Sequence, residues 1–206
     1  GSLKPLSQLA FLHMCAHVTA VLSLGAGAVS FTHIVKAAEP VFTAGFSALL
    51  LGQVFALPVY LSLIPVIFGV GLASLKELSF SWLAFGTAMG SNTASALRGI
   101  IGKKQMGKPK GKNMDAANLY AVLTIIAFCM LTPAALLVEG AKAPGLWQAA
   151  LAKGATAQSL TVTAMLSGIF YYLYNEVAFL ALDSVHPVTH AVGNTIKRVV
   201  VIVSAV

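Results

Sequence analysis

Lys36, Lys197 and Arg198 lie in stretches that are otherwise largely apolar, and the two stretches echo one another. The first runs Ser30-Phe31-Thr32-His33-Ile34-Val35-Lys36-Ala37-Ala38-Glu39-Pro40. The second runs Pro187-Val188-Thr189-His190-Ala191-Val192-Gly193-Asn194-Thr195-Ile196-Lys197-Arg198. Both place Thr-His ahead of a cation, and both continue into apolar sequence. A charge at the centre of a membrane helix costs about 3 kcal/mol on insertion scales, so it usually faces a cavity, a partner or a substrate. Three cations in two related segments predict a pocket for an anion.

The neighbours of each cation define what else it could be doing. Thr32, Lys36, Glu39 and Thr43 follow steps of three and four and share one helical face. Lys36 is either a substrate ligand or half of a pair with Glu39, and Pro40 would free nearby carbonyls. Carboxylates are too few to neutralise every cation, at 6 Asp and Glu against 13 Lys and Arg. His190, Asn194, Lys197 and Arg198 form a second polar line. There Arg offers a planar donor fork and Lys a point charge, both suited to an oxyanion. The alternative is a pair of cations snorkelling at a helix end. Arg98 closes a third line, Thr87-Ser91-Ser95-Arg98, as a ligand at the pocket mouth or as a juxtamembrane anchor.

Tyr174 shares a face with Ser167, Tyr171 and Asn175; its hydroxyl can donate to an oxyanion, or its ring can simply pack. Glu176 beside it would pair with a cation or sit near a polar cavity. His13 and His17 are four residues apart and make a hydrogen-bonding face, but too few further ligands lie nearby for zinc. The sequence has no phosphate-cradling Gly-Lys loop, no nucleophile elbow and no paired carboxylates at one site. It therefore predicts neither an enzyme nor a cofactor or metal.

These residues must be positioned by membrane helices. The chain is 58% hydrophobic and 9% charged, where soluble domains carry about a quarter charged residues. Its apolar stretches are about 20 residues long, enough to cross the hydrocarbon as helices, and short alternating segments of a β-barrel are missing. The reading is an all-α polytopic membrane protein with seven spans, at about 8–27, 31–52, 57–75, 80–102, 118–138, 158–182 and 187–206. The last span runs to the end of the sequence without polar flanks, so a truncated chain is expected, and Gly1-Ser2 reads as a cloning remnant or a cut point.

Charge is concentrated. The net charge is +7, and Lys103, Lys104, Lys108, Lys110 and Lys112 crowd the loop after the fourth span. Such a loop is better explained by the positive-inside bias than by nucleic-acid binding, and it places that loop and Lys4 on the cytoplasm-like side. Cys15 and Cys129 read as small buried hydrophobes. Gly86-x-x-x-Gly90 suggests close helix packing. The two Thr-His segments open spans five apart, so they run in opposite directions through the bilayer, as an inverted repeat of five-helix halves requires.

Taken together, the Ala28–Pro40 stretch, Ser91-Asn92 through Arg98 to Lys103-Lys104, Phe170-Tyr171-Tyr172-Leu173-Tyr174-Asn175 and Pro187–Arg198 resemble the plastidic phosphate translocators of the drug/metabolite transporter superfamily. The resemblance implies ten helices in two inverted halves, of which residues 1–206 form one incomplete domain matching helices three to nine. Residues 1–75 would end the first half and 80–206 would supply most of the second. It further implies one-for-one exchange of inorganic phosphate for phosphorylated C3 compounds or sugars across the inner plastid envelope. By motif, Lys36, Lys197 and Arg198 would hold the phosphate, while His17, Tyr174 and Arg98 would meet the rest of the substrate. The Tyr-Leu-Tyr-Asn context, Val138-Glu139-Gly140 and Thr189–Asn194 favour the triose-phosphate branch, whereas Lys197–Val203 also resembles the phosphoenolpyruvate branch. A hexose-phosphate carrier and a nucleotide-sugar antiporter remain alternatives. The resemblance implies no oligomeric state.

Overall fold

The computed structural model of the chain describes residues 3–78, 80–107 and 115–204. Gly1-Ser2 and the loop lysines Lys108, Lys110 and Lys112 lie outside the described residues. The described residues form α1 (Leu3–Ala26), α2 (Val29–Lys36), α3 (Glu39–Leu51), α4 (Leu57–Lys76), α5 (Trp82–Met106), α6 (Ala116–Glu139), α7 (Ala143–Ala152), α8 (Ala157–Ser184) and α9 (Pro187–Ser204). Five stretches are long and apolar enough to cross a membrane: α1, α4, α6, α8 and Val29–Leu51, which holds α2 and α3. The fourth and seventh expected spans form the helices α5 and α9, of 25 and 18 residues, whose polar and charged residues keep them below that apolarity. The connection expected over 139–157 holds α7, a helix with no buried residue.

The span expected over 31–52 is broken into two helices. Pro40 has no N–H to give the carbonyl of Lys36, which ends the α-helical ladder there. The chain tightens through three-residue turns, with Ala38 N donating to Val35 O at 3.2 Å and Val41 N to Ala38 O at 2.9 Å. The break frees the Ala37 carbonyl, and Thr195 of α9 donates to it at 3.1 Å. Lys36 and Glu39 flank this break, so it turns two charged residues toward α9 and α5.

α1 and α5 pack along each other over most of their length, α6 covers α1, and α3 lies between α5 and α9. Three apolar clusters fix the arrangement. Leu9, Tyr120, Leu123 and Phe179 join α1, α6 and α8; Phe31, Val35, Val70 and Ala84 join α2, α4 and α5; Ala44, Leu63 and Val188 join α3, α4 and α9. Gly27 sits against α5 so closely that an added Cβ would stand 2.9 Å from the Ala84 Cβ. In Gly86-x-x-x-Gly90 a Cβ added at Gly86 would meet nothing within 4 Å and one added at Gly90 would reach only the Thr19 methyl, at 4.0 Å, so neither glycine is required by a close helix approach among the described residues.

Side-chain oxygens close the first turns of three helices: Ser81 for α5, Asp115 for α6 and Thr156 for α8 accept from backbone N–H groups at 2.8–3.3 Å. Such caps satisfy donors that the hydrocarbon could not. Leu61, Phe68, Phe128, Leu137, Met165 and Phe170 are exposed on α4, α6 and α8, the apolar surface a bilayer covers.

Candidate functional site

The polar interior begins with Glu39, whose carboxylate is buried at the α2/α3 break. Arg198 NH2 donates to its Oε2 at 2.8 Å, and both side chains are largely inaccessible to solvent. Asn194, one turn earlier on α9, donates to its Oε1 at 3.4 Å. The internal pair considered for Glu39 with Lys36 is thus made with Arg198 instead. The reason is the direction of the faces: the break points Glu39 at α9, while Lys36, at the end of α2, points at α5. Lys36 is 8% exposed, and its ammonium donates to Ser91 Oγ. Ser91 in turn donates to the Ala16 carbonyl at 2.6 Å, so a chain of hydrogen bonds links α2, α5 and α1.

Lys197 and Arg198 part company. Adjacent residues on a helix point about 100° apart. Arg198 turns inward to Glu39, whereas Lys197 turns to α8, where its ammonium contacts the Tyr174 hydroxyl and lies 4.1 Å from the ring centroid. Tyr174 itself is 40% exposed. Arg198 thus has a buried partner and Lys197 a half-exposed one.

Arg98 forms no ion pair with a carboxylate among the described residues. Its NH1 lies 2.8 Å from His13 Nδ1 on α1. The His13 and His17 rings meet edge to face at 4.5 Å, and Tyr171 closes on His17 at 5.0 Å. Arg98 also lines a narrow cleft with Glu39, Ser95, Asn175 and His190. Lys36, Lys197 and His17 are not part of that cleft's wall. They are nevertheless electrostatic neighbours: Lys36 lies within the fields of Arg198, Glu39, Arg98 and Lys197, and His17 within those of Arg98, Lys36 and Lys197. The expected residues therefore share one interior region, Tyr174 joining it through Lys197. Buried within the region, Arg198 Nε and His17 Nε2 have no hydrogen-bond partner among the described residues. Glu176 is half-buried and forms no ion pair with the cations among the described residues. Cys15 and Cys129 carry free thiols, and Cys129 is exposed rather than buried.

Sequence spacing missed three partners. Ser91 was legible only as part of the Arg98 line, yet it serves Lys36. His13 was legible as a polar face, but its partner 85 residues away was not. Thr195 follows Asn194 without falling on the polar line drawn for that helix, and it caps the freed carbonyl of the broken helix.

Helices of spanning length around an interior in which cations outnumber acids define a polytopic α-helical membrane protein. The sequence pattern of the Triose-phosphate Transporter family matches residues 2–206, and the chain belongs to that family. It is 47% identical over 203 residues to the chloroplastic triose phosphate/phosphate translocator of Solanum tuberosum, covering 97% of this chain and 47% of that one. It is 44% identical over 205 residues to the chloroplastic glucose-6-phosphate/phosphate translocator 1 of Arabidopsis thaliana, covering 98% of this chain and 51% of that one. It is 42% identical over 201 residues to the chloroplastic phosphoenolpyruvate/phosphate translocator 2 of the same plant, covering 97% and 52%. The chain spans about half the length of the curated relatives it matches. With chloroplastic relatives and membrane-spanning helices, it is an integral membrane protein of the plastid.

Proposed function

We propose that the protein carrying this chain exchanges inorganic phosphate strictly one for one with phosphorylated C3 compounds, triose phosphate and 3-phosphoglycerate, across the inner plastid envelope. The observation that carries the reading is the imbalance of charge at the helix break. Lys36, Arg198 and Arg98 lie within the field of the Glu39 carboxylate, and Lys197 within that of Lys36; the buried Arg198 Nε still has a donor to give. Lys36, Lys197 and Arg198 hold the phosphate. His17, Tyr174 and Arg98 meet the other end of the substrate. The chain then makes up one incomplete transporter domain, the end of one five-helix half and most of an inverted second half.

Obligatory exchange follows from the same charges. Phosphate carries about −1.5 to −2 near neutral pH, as phosphoryl groups with a second pKa near 6 do. An empty pocket that closes must strip water from cations that one carboxylate does not balance, at several kcal/mol per ion. A bound dianion offsets that cost with charge-assisted hydrogen bonds. The closed intermediate between the two open states is therefore reached only with an anion bound, and the carrier returns loaded. The site does no chemistry on its cargo.

The triose-phosphate branch is favoured by the Tyr-Leu-Tyr-Asn segment around Tyr174. The relatives named for triose phosphate, glucose 6-phosphate and phosphoenolpyruvate are nearly equally similar, so counter-substrate is an experimental question. Full-length protein in liposomes preloaded with a panel of C3 and C6 phosphates is expected to take up labelled phosphate fastest against triose phosphate and 3-phosphoglycerate. Uptake into empty liposomes would indicate a channel. Hydrolysed product would indicate an enzyme, and preference for nucleotide sugars a different carrier.

A further inference from the structure

Arg98 is held by an acceptor that carries no charge. Guanidinium is a donor only, so the 2.8 Å contact makes His13 Nδ1 the acceptor. An imidazole that accepts at Nδ1 has its proton on Nε2 and is neutral. The ring has little freedom to do otherwise. His13 is 5% exposed, and it is wedged edge-on between His17 at 4.5 Å and Tyr120 at 5.9 Å. Tyr120 is in turn 1% exposed and packed at a tilt against Tyr172 and Phe179, each ring centroid at 5.5 Å. α1, α6 and α8 thus lock the imidazole, and the imidazole fixes the guanidinium.

The choice of acceptor has an electrostatic consequence. Glu39 orients Arg198 but also cancels its charge. His13 orients Arg98 without an ion pair, so the guanidinium faces the cleft that it lines as a cation, with Glu39, already paired to Arg198, in the same wall. We propose that His13 is the positioning residue of the carrier: by holding Arg98 as an oriented cation outside any ion pair among the described residues, it sets the preference for substrates with an anionic group opposite the phosphate over inorganic phosphate alone. This rests on the reading of Arg98 as the ligand for the far end of the substrate.

The test compares two polar replacements in full-length protein reconstituted in liposomes. Asn carries its acceptor oxygen where His carries Nδ1; Gln carries it where His carries Nε2. His13→Asn is expected to exchange 3-phosphoglycerate with near-normal apparent KM. His13→Gln is expected to raise that KM about ten- to a hundredfold, the worth of a hydrogen bond to a charged group, while phosphate–phosphate exchange in the same liposomes stays within about twofold. In the Arg98→Ala background, His13→Gln should add nothing further, because its effect runs through Arg98. Equal losses for phosphate and 3-phosphoglycerate would overturn the proposal, as would identical behaviour of the two variants or an additive double variant. Failure of the antiport reading looks different: it shows in the wild-type protein as missing phosphate counter-exchange.

Discussion

The two interior arginines sit in the same electrostatic neighbourhood but are held in opposite ways. Arg198 donates to a buried carboxylate, and Arg98 to an imidazole. A carboxylate makes a buried cation tolerable by neutralising it, and a neutral acceptor only aims it. The first arrangement suits a site that must survive empty between cargoes; the second suits a site that discriminates among cargoes. Glu39 leaves Lys36 and Lys197 unneutralised, so the Arg198 side is a partly compensated trio. The Arg98 side is one oriented charge framed by aromatic rings.

The largest break in this comparison comes from removing the trio. Lys36→Ala, Lys197→Ala and Arg198→Ala should each lower phosphate exchange about a hundredfold or more, since each takes away charge-assisted hydrogen bonds worth about 1.5–3 kcal/mol to the anion. Arg98→Ala should leave phosphate–phosphate exchange nearly intact while exchange of 3-phosphoglycerate falls about tenfold or more. Equal losses in both assays would erase the distinction between the two arginines.

Glu39→Gln sharpens the comparison through stability. Leaving Arg198 buried without its counter-charge should destabilise the protein on the order of 3 kcal/mol. Thermal unfolding in detergent should show the drop, and added phosphate should recover more of the melting temperature in Glu39→Gln than in wild type, because the anion takes over the missing charge. No difference in phosphate response would mean that Glu39 and the anion do not share Arg198. Tyr174→Phe should have a smaller effect, a few-fold in apparent KM by the same assay, since Tyr174 is half-exposed and its hydroxyl's contact with Lys197 competes with water.

The smallest expected effect lies outside the spans. His186, between α8 and α9, has its Nε2 2.9 Å from Gln53 Oε1 and its ring 5.2 Å from Phe55. Partial burial, and then the Lys103 charge, hold its pKa below the ordinary 6.5. The unfolded chain therefore binds this proton first as pH falls, and stability declines from about pH 6.5 downward through the folded value. His186→Gln should flatten that slope in a melting series between pH 7 and 5; an unchanged slope would assign it to other groups.

Much of this was legible because membrane sequence is sparse in polar residues. Lys36, Arg98, Lys197 and Arg198 stand out from apolar surroundings, and five of the seven expected spans are apolar enough to stand on hydropathy alone. Pro40 announced freed carbonyls, yet the break that separates α2 from α3 needed the backbone to be seen. Pairings were the illegible part. Glu39 is three residues from Lys36 and 159 from Arg198, and local spacing favours the near partner. Tertiary packing decided for the far one, because the broken helix rotates Glu39 off the Lys36 face. The same limit hid the Ser91 and His13 contacts, which depend on how α1, α2 and α5 are stacked rather than on any periodicity.

The central claim is that Lys36, Lys197 and Arg198 jointly hold the phosphate. Counter-exchange of labelled phosphate in phosphate-loaded liposomes, run on full-length protein with each of the three replaced by Ala, tests it without involving the far end of the substrate. The account predicts exchange near background in all three variants, and near-normal exchange in all three would contradict it.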